Sequence, residues 1–477
     1  MKAERVIEES VENHGPRKGT DLGLDAQGVQ KTMKVRHYLG DGAGQVPLNA
    51  VTGLVGMLTF FYTDKIGMAA GVVGTILLLA RVLDAFTDIS MGIILERTKS
   101  KYGKARPWLL WMVIPTLLSI ILLFTVPMDA SSTVQNIYVF ITVVLATGIV
   151  YTATSIPYNS MVALRTKSSE ERGKMGITRA IFGYVIGMIV AVALIPITNL
   201  LGGDQRAWII TSAVIAIISS ICLYLAFLAS KEEATEAHVQ DKDDAVPLKE
   251  SLGLLFKNKY WVIMSLVLLL MNMLSVLTAS TGIYYTKYIL GNENLISVMG
   301  AAGLIPVVLG FIAVGPMTKK FGPAKAVRIA LILGGVASLI RCFIPYSFTG
   351  ALVLGGVTAF ATIPLMALSI ALINNTVEYG EWKFGKRTVG MINSANSFGG
   401  KLGSGLGAAI IGWILAFGQY DGTLAVQPDS SIFSILVLTV YLPFIIFVVL
   451  YLLLRKYDLD LKYPQIVKDL EERKANL

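Results

Sequence analysis

The run LLLARVLDAFTDISMGIIL holds two carboxylates, Asp84 and Asp88, inside an otherwise apolar stretch. Four residues apart on a helix they share one face, with Thr87 beside them and Arg81 one turn earlier. Like charges at that spacing repel, and in apolar surroundings one takes up a proton unless a cation intervenes. A bound sodium ion, a proton, or a neighbouring Lys or Arg resolves the conflict; so does a salt-bridge network between helices that holds no ion. Lys401 lies in NSANSFGGKLGSGLG, midway along another apolar stretch whose glycines and serines allow close helix approach. A buried Lys without a partner loses its proton, so an Asp across a helix interface is its expected companion. Arg179 opens a further apolar stretch, as an interfacial anchor or as a functional group. In YTATSIPYNSM, Pro157 frees a backbone carbonyl while Thr152, Ser155, Tyr158 and Asn159 offer hydrogen bonds; the plainer reading is a kink. Arg341 reads as a snorkelling anchor.

Such charges are chemically active only if the elements around them make charge expensive. Of 477 residues, 54% are hydrophobic and 15% charged, with a mean hydropathy of +0.64. Soluble chains carry about 25% charged residues, so a soluble enzyme, a disordered chain and a disulfide scaffold are excluded. The net charge of +9 does not imply nucleic acid, because the basic residues lie between apolar segments and not on one soluble face. Cys222 and Cys342 sit in apolar runs and read as small core residues. A spanning helix needs about 20 apolar residues. Candidates fall at 43–62, 70–95, 107–127, 136–162, 179–201, 206–230, 260–288, 293–316, 326–346, 350–376, 388–418 and 431–454.

The predicted fold is therefore all-α: a polytopic membrane protein of twelve transmembrane helices in two pseudo-symmetric six-helix bundles. The predicted organisation is a cytoplasmic tail over 1–36, a first bundle over 37–230, a cytoplasmic linker over 231–258, a second bundle over 259–455 and a cytoplasmic tail over 456–477. Residues 1–36 are polar and lack the apolar centre of a cleavable signal. Loops after even-numbered spans carry the positive charge: Arg97, Lys99, Lys101, Lys104 and Arg106 after the second, Lys319, Lys320 and Lys325 after the eighth. That bias places both termini in the cytoplasm. GIILERTKSKYGKARP and GPMTKKFGPAKA recur at the second loop of each half, which favours a duplicated transporter with its site near the midplane. No GxxxxGK[ST] phosphate loop, HExxH or Cys/His metal spacing is present, and no nucleophile–base set is evident.

The run GTILLLARVLDAFTDISMGIILERTKSKYGKARPWLL, with SIPYNSM and NNTVEYGEWKFGKRTVGMINSANSFGGK, resembles the melibiose-permease-like glycoside–pentoside–hexuronide:cation symporter family of the major facilitator superfamily. The resemblance runs from about residue 37 onward. It implies symport of a sugar with a cation by alternating access, in a bacterial inner (cytoplasmic) membrane, with no cofactor beyond the coupling ion. Asp84, Thr87, Asp88 and Thr152 match the implied cation-binding positions, with Asp84 and Asp88 as metal ligands if the ion is Na⁺. Lys401 matches a Lys near both cation and sugar, Arg179 an Arg implied in sugar binding, and Asn396 and Ser397 polar pocket positions. Gln45 or Asn49 fills the polar position of the first span, and Ser155 and Asn159 stand where the family has a sugar-binding Asp and its aromatic neighbour. Met366 stands near a pocket Trp, and Thr87 replaces an Asn, which tilts the expected ion from Na⁺ to H⁺. The expected partners are a small-molecule sugar and membrane lipids, with no nucleic acid and a monomeric chain. The rival readings are a lysolipid or other amphiphile as cargo, or a non-transporting membrane sensor on the same fold.

Overall fold

In apolar surroundings every backbone N–H and C=O must be satisfied within its own segment, which leaves helices as the solution for runs of this length. A computed structural model describes residues 22–24, 30–166, 168–232, 248–385, 389–424 and 426–475; its side chains are described for all of these but 169, 248–252, 389–398, 471, 474 and 475. The first six helices are α1 (Val35–Lys65), α2 (Ala70–Arg97), α3 (Val113–Leu122), α4 (Ser132–Arg165), α5 (Glu170–Leu200) and α6 (Gln205–Ala229). The second six are α7 (Lys259–Ile289), α8 (Leu295–Phe321), α9 (Pro323–Phe343), α10 (Phe348–Phe384), α11 (Val389–Phe417) and α12, which runs from Asp429–Leu436 through Val437–Tyr441 into Leu442–Arg455. Among the described residues eleven helices are long and apolar enough to cross a membrane.

The exception corrects the expected span at 107–127. A short helix, Arg106–Trp111, stops at Met112 before α3 resumes. Pro115 has no N–H to return to the carbonyl of Trp111, so the ladder breaks there. Pro127 then bars helix at the far end. Other limits also differ: α1 starts at Val35 rather than 43, and α10 runs to Phe384 rather than 376. The stretches read as linker and tail carry helices Leu248–Lys257 and Leu459–Ala475.

Among the described residues four of the long helices contain π turns, Phe61–Lys65 in α1, Val144–Val150 in α4, Tyr285–Ile289 in α7 and Val437–Tyr441 in α12. Each inserts an extra residue and re-aims the side chains around it. The first three carry Asp64, Thr147 and Lys287, all of which make polar contacts with another helix.

The first six helices meet the second six mainly along α2 against α11 and α5 against α8. The α2–α11 seam is uneven along its length. Towards the face away from the termini, a Cβ on Gly412 would come within 2.4 Å of the Ala70 carbonyl, and one on Gly71 within 3.2 Å of Ala416. Only glycine permits backbones that close. Towards the terminal face, a Cβ on Gly92 or Gly399 would meet nothing within 4 Å, and the same holds for Gly176 on α5. The helices therefore converge on one face and splay on the other. An aromatic cluster fills the converged end, with Phe61 against Phe124 at 4.9 Å and Phe124 stacked on Trp208 at 5.7 Å between ring centroids. On the splayed face buried Glu171 accepts hydrogen bonds from the backbone N–H groups of Thr32 and Met33, tying the chain before α1 to the start of α5.

Candidate functional site

Helix α2 places Asp84 and Asp88 one turn apart, and neighbours from two other helices divide them. Asp84 is 1% exposed; one carboxylate oxygen accepts from Arg81 Nη1 at 3.0 Å and the other from Thr147 Oγ1 at 3.2 Å. Asp88 is half-buried; it accepts from Thr152 Oγ1 at 2.9 Å and pairs with Lys401 Nζ at 2.6 Å. Lys401 also donates to the backbone carbonyl of Asp84 at 3.0 Å. Each carboxylate thus faces its own cation and its own threonine, which removes the like-charge conflict of the spacing. The companion expected for Lys401 is Asp88.

Local sequence makes this approach feasible. A Cβ on Gly148 would sit 2.7 Å from a carboxylate oxygen of Asp84, so α4 closes on α2 only because that position is glycine. Small residues on α11 do the same for Lys401: a Cβ on Gly405 would lie 2.9 Å from that of Arg81.

Beside the paired charges lies a cavity of about 320 Å³, inside the range of small-ligand sites. Thr52 of α1, Arg81 of α2, Thr147 and Tyr151 of α4, Asn272 of α7, and Lys401 and Ser404 of α11 line it. Both sets of six helices contribute. The two charged groups on its wall are the cations whose carboxylates lie behind them. The wall therefore offers N–H and O–H donors and hydroxyl oxygens, the groups that recognise a polyol.

Asp84, Asp88, Thr152 and Lys401 are brought together as one cluster. Thr87 turns its hydroxyl to the carbonyl of Asp84 at 2.9 Å. Asn49 donates to the carbonyl of Gln45 at 3.0 Å, and both side chains lie against Gly183 of α5. Ser155 is half-buried and Asn159 exposed on α4. None of Gln45, Asn49, Ser155, Asn159 or Arg179 lines this cavity. Asn396 and Ser397 lie on α11 before Lys401, and their side chains fall outside the described residues.

Arg179 is engaged elsewhere. Its Nε and Nη2 each donate to a carboxylate oxygen of buried Asp41 at 2.7 Å, and Nη2 also donates to the carbonyl of Tyr158 at 3.0 Å. The guanidinium lies 3.7 Å from the centroid of the Tyr158 ring. This bidentate, stacked arrangement suits Arg and not Lys.

Sequence reasoning missed Asp41, Thr147, Tyr151 and Asn272. Asp41 carried a signal, a lone acid in LGDGAG at the mouth of the first apolar run. The other three are isolated polar residues in apolar helices, which sequence alone does not separate from ordinary packing. A second cavity of about 520 Å³ lies among α7, α8, α9, α10 and α12, mostly apolar, with Met366 on its wall.

The geometry can be set beside known proteins. A family model described as MFS/sugar transport protein matches residues 40–461. The uncharacterized symporter YnaJ of Bacillus subtilis (strain 168) is 30% identical over 453 residues, 93% of this chain and 96% of that protein. The isoprimeverose transporter of Lactiplantibacillus pentosus is 29% identical over 429 residues, 88% of this chain and 87% of that one. A solved structure of a bacterial homolog to the human lysosomal transporter Spinster, inward-facing and unoccupied, superposes with a TM-score of 0.67 over 91% of this chain and 99% of its own, at 12% identity. That last likeness is one of fold.

Proposed function

The chain belongs to the MFS/sugar transport protein family, and from that premise we propose that it is a cation-coupled symporter of a glycoside, pentoside or hexuronide. Its membership makes it a polytopic membrane transport protein of sugar-like cargo, not an enzyme. The observation that carries the finer reading is the one-to-one pairing of Asp84 with Arg81 and Asp88 with Lys401 beside a cavity walled by both halves. A coupling cation competes with Lys401 and Arg81 for the carboxylates. A proton on Asp88 weakens its hold on Lys401, whose ammonium then donates to a sugar hydroxyl in the cavity. Sodium acts alike, with the carboxylate and threonine oxygens as hard ligands. We favour H⁺, because Thr87 stands where the family it resembles has an Asn, whose amide carbonyl is a hard ligand for Na⁺.

Occupancy of both sites then lets the helices rock about the α2–α11 and α5–α8 seams. With the basic loops inside, the splayed face that bears the termini is cytoplasmic and the converged face external. The membrane is the inner one of a bacterium.

Uptake by proteoliposomes tests the reading, using labelled glycosides under separate proton and sodium gradients. Concentrative uptake under one gradient is expected, and Asp84→Asn should abolish it while leaving the protein in the membrane. Normal gradient-driven accumulation by that variant would sink the assignment. The apolar 520 Å³ cavity favours one second reading, an amphiphilic cargo, so a lysolipid belongs in the panel.

A further inference from the structure

A second buried charge cluster that joins the two halves lies at the converged face. The π turns that end α1 and α7 point Asp64 and Lys287 at one another across the two sets of helices. The Asp64 side chain is fully buried; its neighbour Thr63 donates to it at 2.8 Å, and three further donors reach it from the second half of the chain. Lys287 Nζ and Tyr288 Oη donate to one carboxylate oxygen at 2.7 and 2.8 Å, and Tyr420 Oη donates to the other at 2.7 Å. Thr63, next in sequence, shares a 2.9 Å hydrogen bond with the Tyr284 hydroxyl.

Packing around the cluster leaves no slack. A Cβ on Gly422, in the segment after α11, would come within 2.4 Å of the Thr63 carbonyl. Trp413 Nε1 donates to Thr75 Oγ1 at 3.1 Å, and Asn199 Nδ2 to Asn294 Oδ1 at 3.2 Å, both joining the halves near the same face.

The geometry points to a latch: Asp64, held by Lys287, Tyr288 and Tyr420, keeps the converged face shut, and the cycle opens that face by freeing Asp64 from all three donors at once. The inference rests on the transport reading, because only a cycle of alternating access requires this face to open. A buried ion pair gains little over its two hydrated ions, so the intact latch can open without a prohibitive cost. Removing one partner is different. It leaves the other charge buried and unpaired in the closed state, whereas in the open state water solvates it. Single substitutions therefore penalise the closed state selectively and shift the population toward the open one.

The test places spin labels on Leu200 and Val426, which are 85% and 84% exposed on opposite halves near the converged face, after Cys222 and Cys342 are replaced by Ala. Distances between the labels are measured by pulsed electron resonance on the full chain in lipid nanodiscs, without any cargo. The unmodified latch should give a short distance. Tyr420→Phe, which removes one hydrogen bond to a charged acceptor, should raise the long-distance population about tenfold. Asp64→Asn should raise it further, and Asp64→Asn combined with Lys287→Gln should bring it back toward the starting value. Unchanged distances in a monodisperse Tyr420→Phe protein overturn the latch, even if Asp64→Asn fails to fold. Because the readout needs no cargo, opening in the variants supports the latch even where every sugar fails in the uptake assay. That failure counts against the substrate reading alone.

Discussion

Asp84 and Asp88 are the same chemical group four residues apart, yet their surroundings give them different work. Asp84 is sealed between Arg81 and Thr147, while Asp88 keeps partial access and shares Lys401 with the cavity wall. Asp88 is thus the group an arriving cation reaches first. Thr152→Ala removes the 2.9 Å hydrogen bond to Asp88 and leaves the ion pair in place. If the ion is Na⁺, loss of the hydroxyl oxygen as a ligand should weaken apparent cation affinity about tenfold; if it is H⁺, loss of a donor to the ionised carboxylate should strengthen it instead, in both cases with smaller effect on sugar affinity at saturating cation. Cation titration of uptake checks this, and equal loss on both axes would count against a cation role for Thr152. Arg179 poses a different question, because its donors to Asp41 are already committed. Arg179→Gln and Asp41→Asn should each destabilise the protein by about 3–5 kcal/mol through the buried charge left behind, and the double substitution by less than the sum. Thermal unfolding in detergent measures all three, and additivity would deny the pair. The Asp84–Asp88–Lys401 cluster was legible in sequence because charge in an apolar run is conspicuous. The Asp41–Arg179 pair was not, because the first span was placed at 43 and Asp41 fell outside it, while Arg179 read as a boundary residue.

Among the elements, glycine placement on α11 separates two kinds of contact. Gly412 faces α2 of the other half, where a Cβ would meet the Ala70 carbonyl at 2.4 Å. Gly403 faces α7 of its own half, where a Cβ would meet the Leu269 carbonyl at 2.3 Å. Steric demand is the same, but only the first seam has to part during transport. Gly412→Leu should fold, lengthen the distance between labels at Leu200 and Val426, and slow uptake. Gly403→Leu should lower the unfolding temperature and yield, since overpacking within a bundle costs about 1–3 kcal/mol with no open state to relieve it. If both variants behave alike, the seam is not a moving one. Hydropathy made the long helices legible, because a twenty-residue apolar run has few other solutions. It did not reveal the break at Met112 or the π turns, which depend on single hydrogen bonds in the ladder. Pro115 was a visible breaker, yet in a spanning helix proline is commonly absorbed as a kink, so its presence alone does not mark a stop.

At the scale of the whole molecule, one face is joined by glycine seams and the Asp64 cluster while the other is splayed, and the charged site lies between them. Coupling between cation and sugar must then pass through the same equilibrium that the seams control. If cation binding at Asp88 frees Lys401 for the sugar, each ligand tightens the other by an equal factor. Typical coupling free energies of about 1–3 kcal/mol predict a 5–150-fold change in affinity. Calorimetric titration of purified protein with the transported sugar, at low and saturating cation, measures one side of that cycle. Cation titration with and without the sugar measures the other, and the two factors should agree. Lys401→Met should collapse both factors toward unity, because the sugar no longer meets the group that the cation releases. It should leave the Asp88 carboxylate able to take up the ion, which the cation titration reads directly. A variant that loses sugar binding while keeping the full coupling factor would place Lys401 outside the route between the two sites.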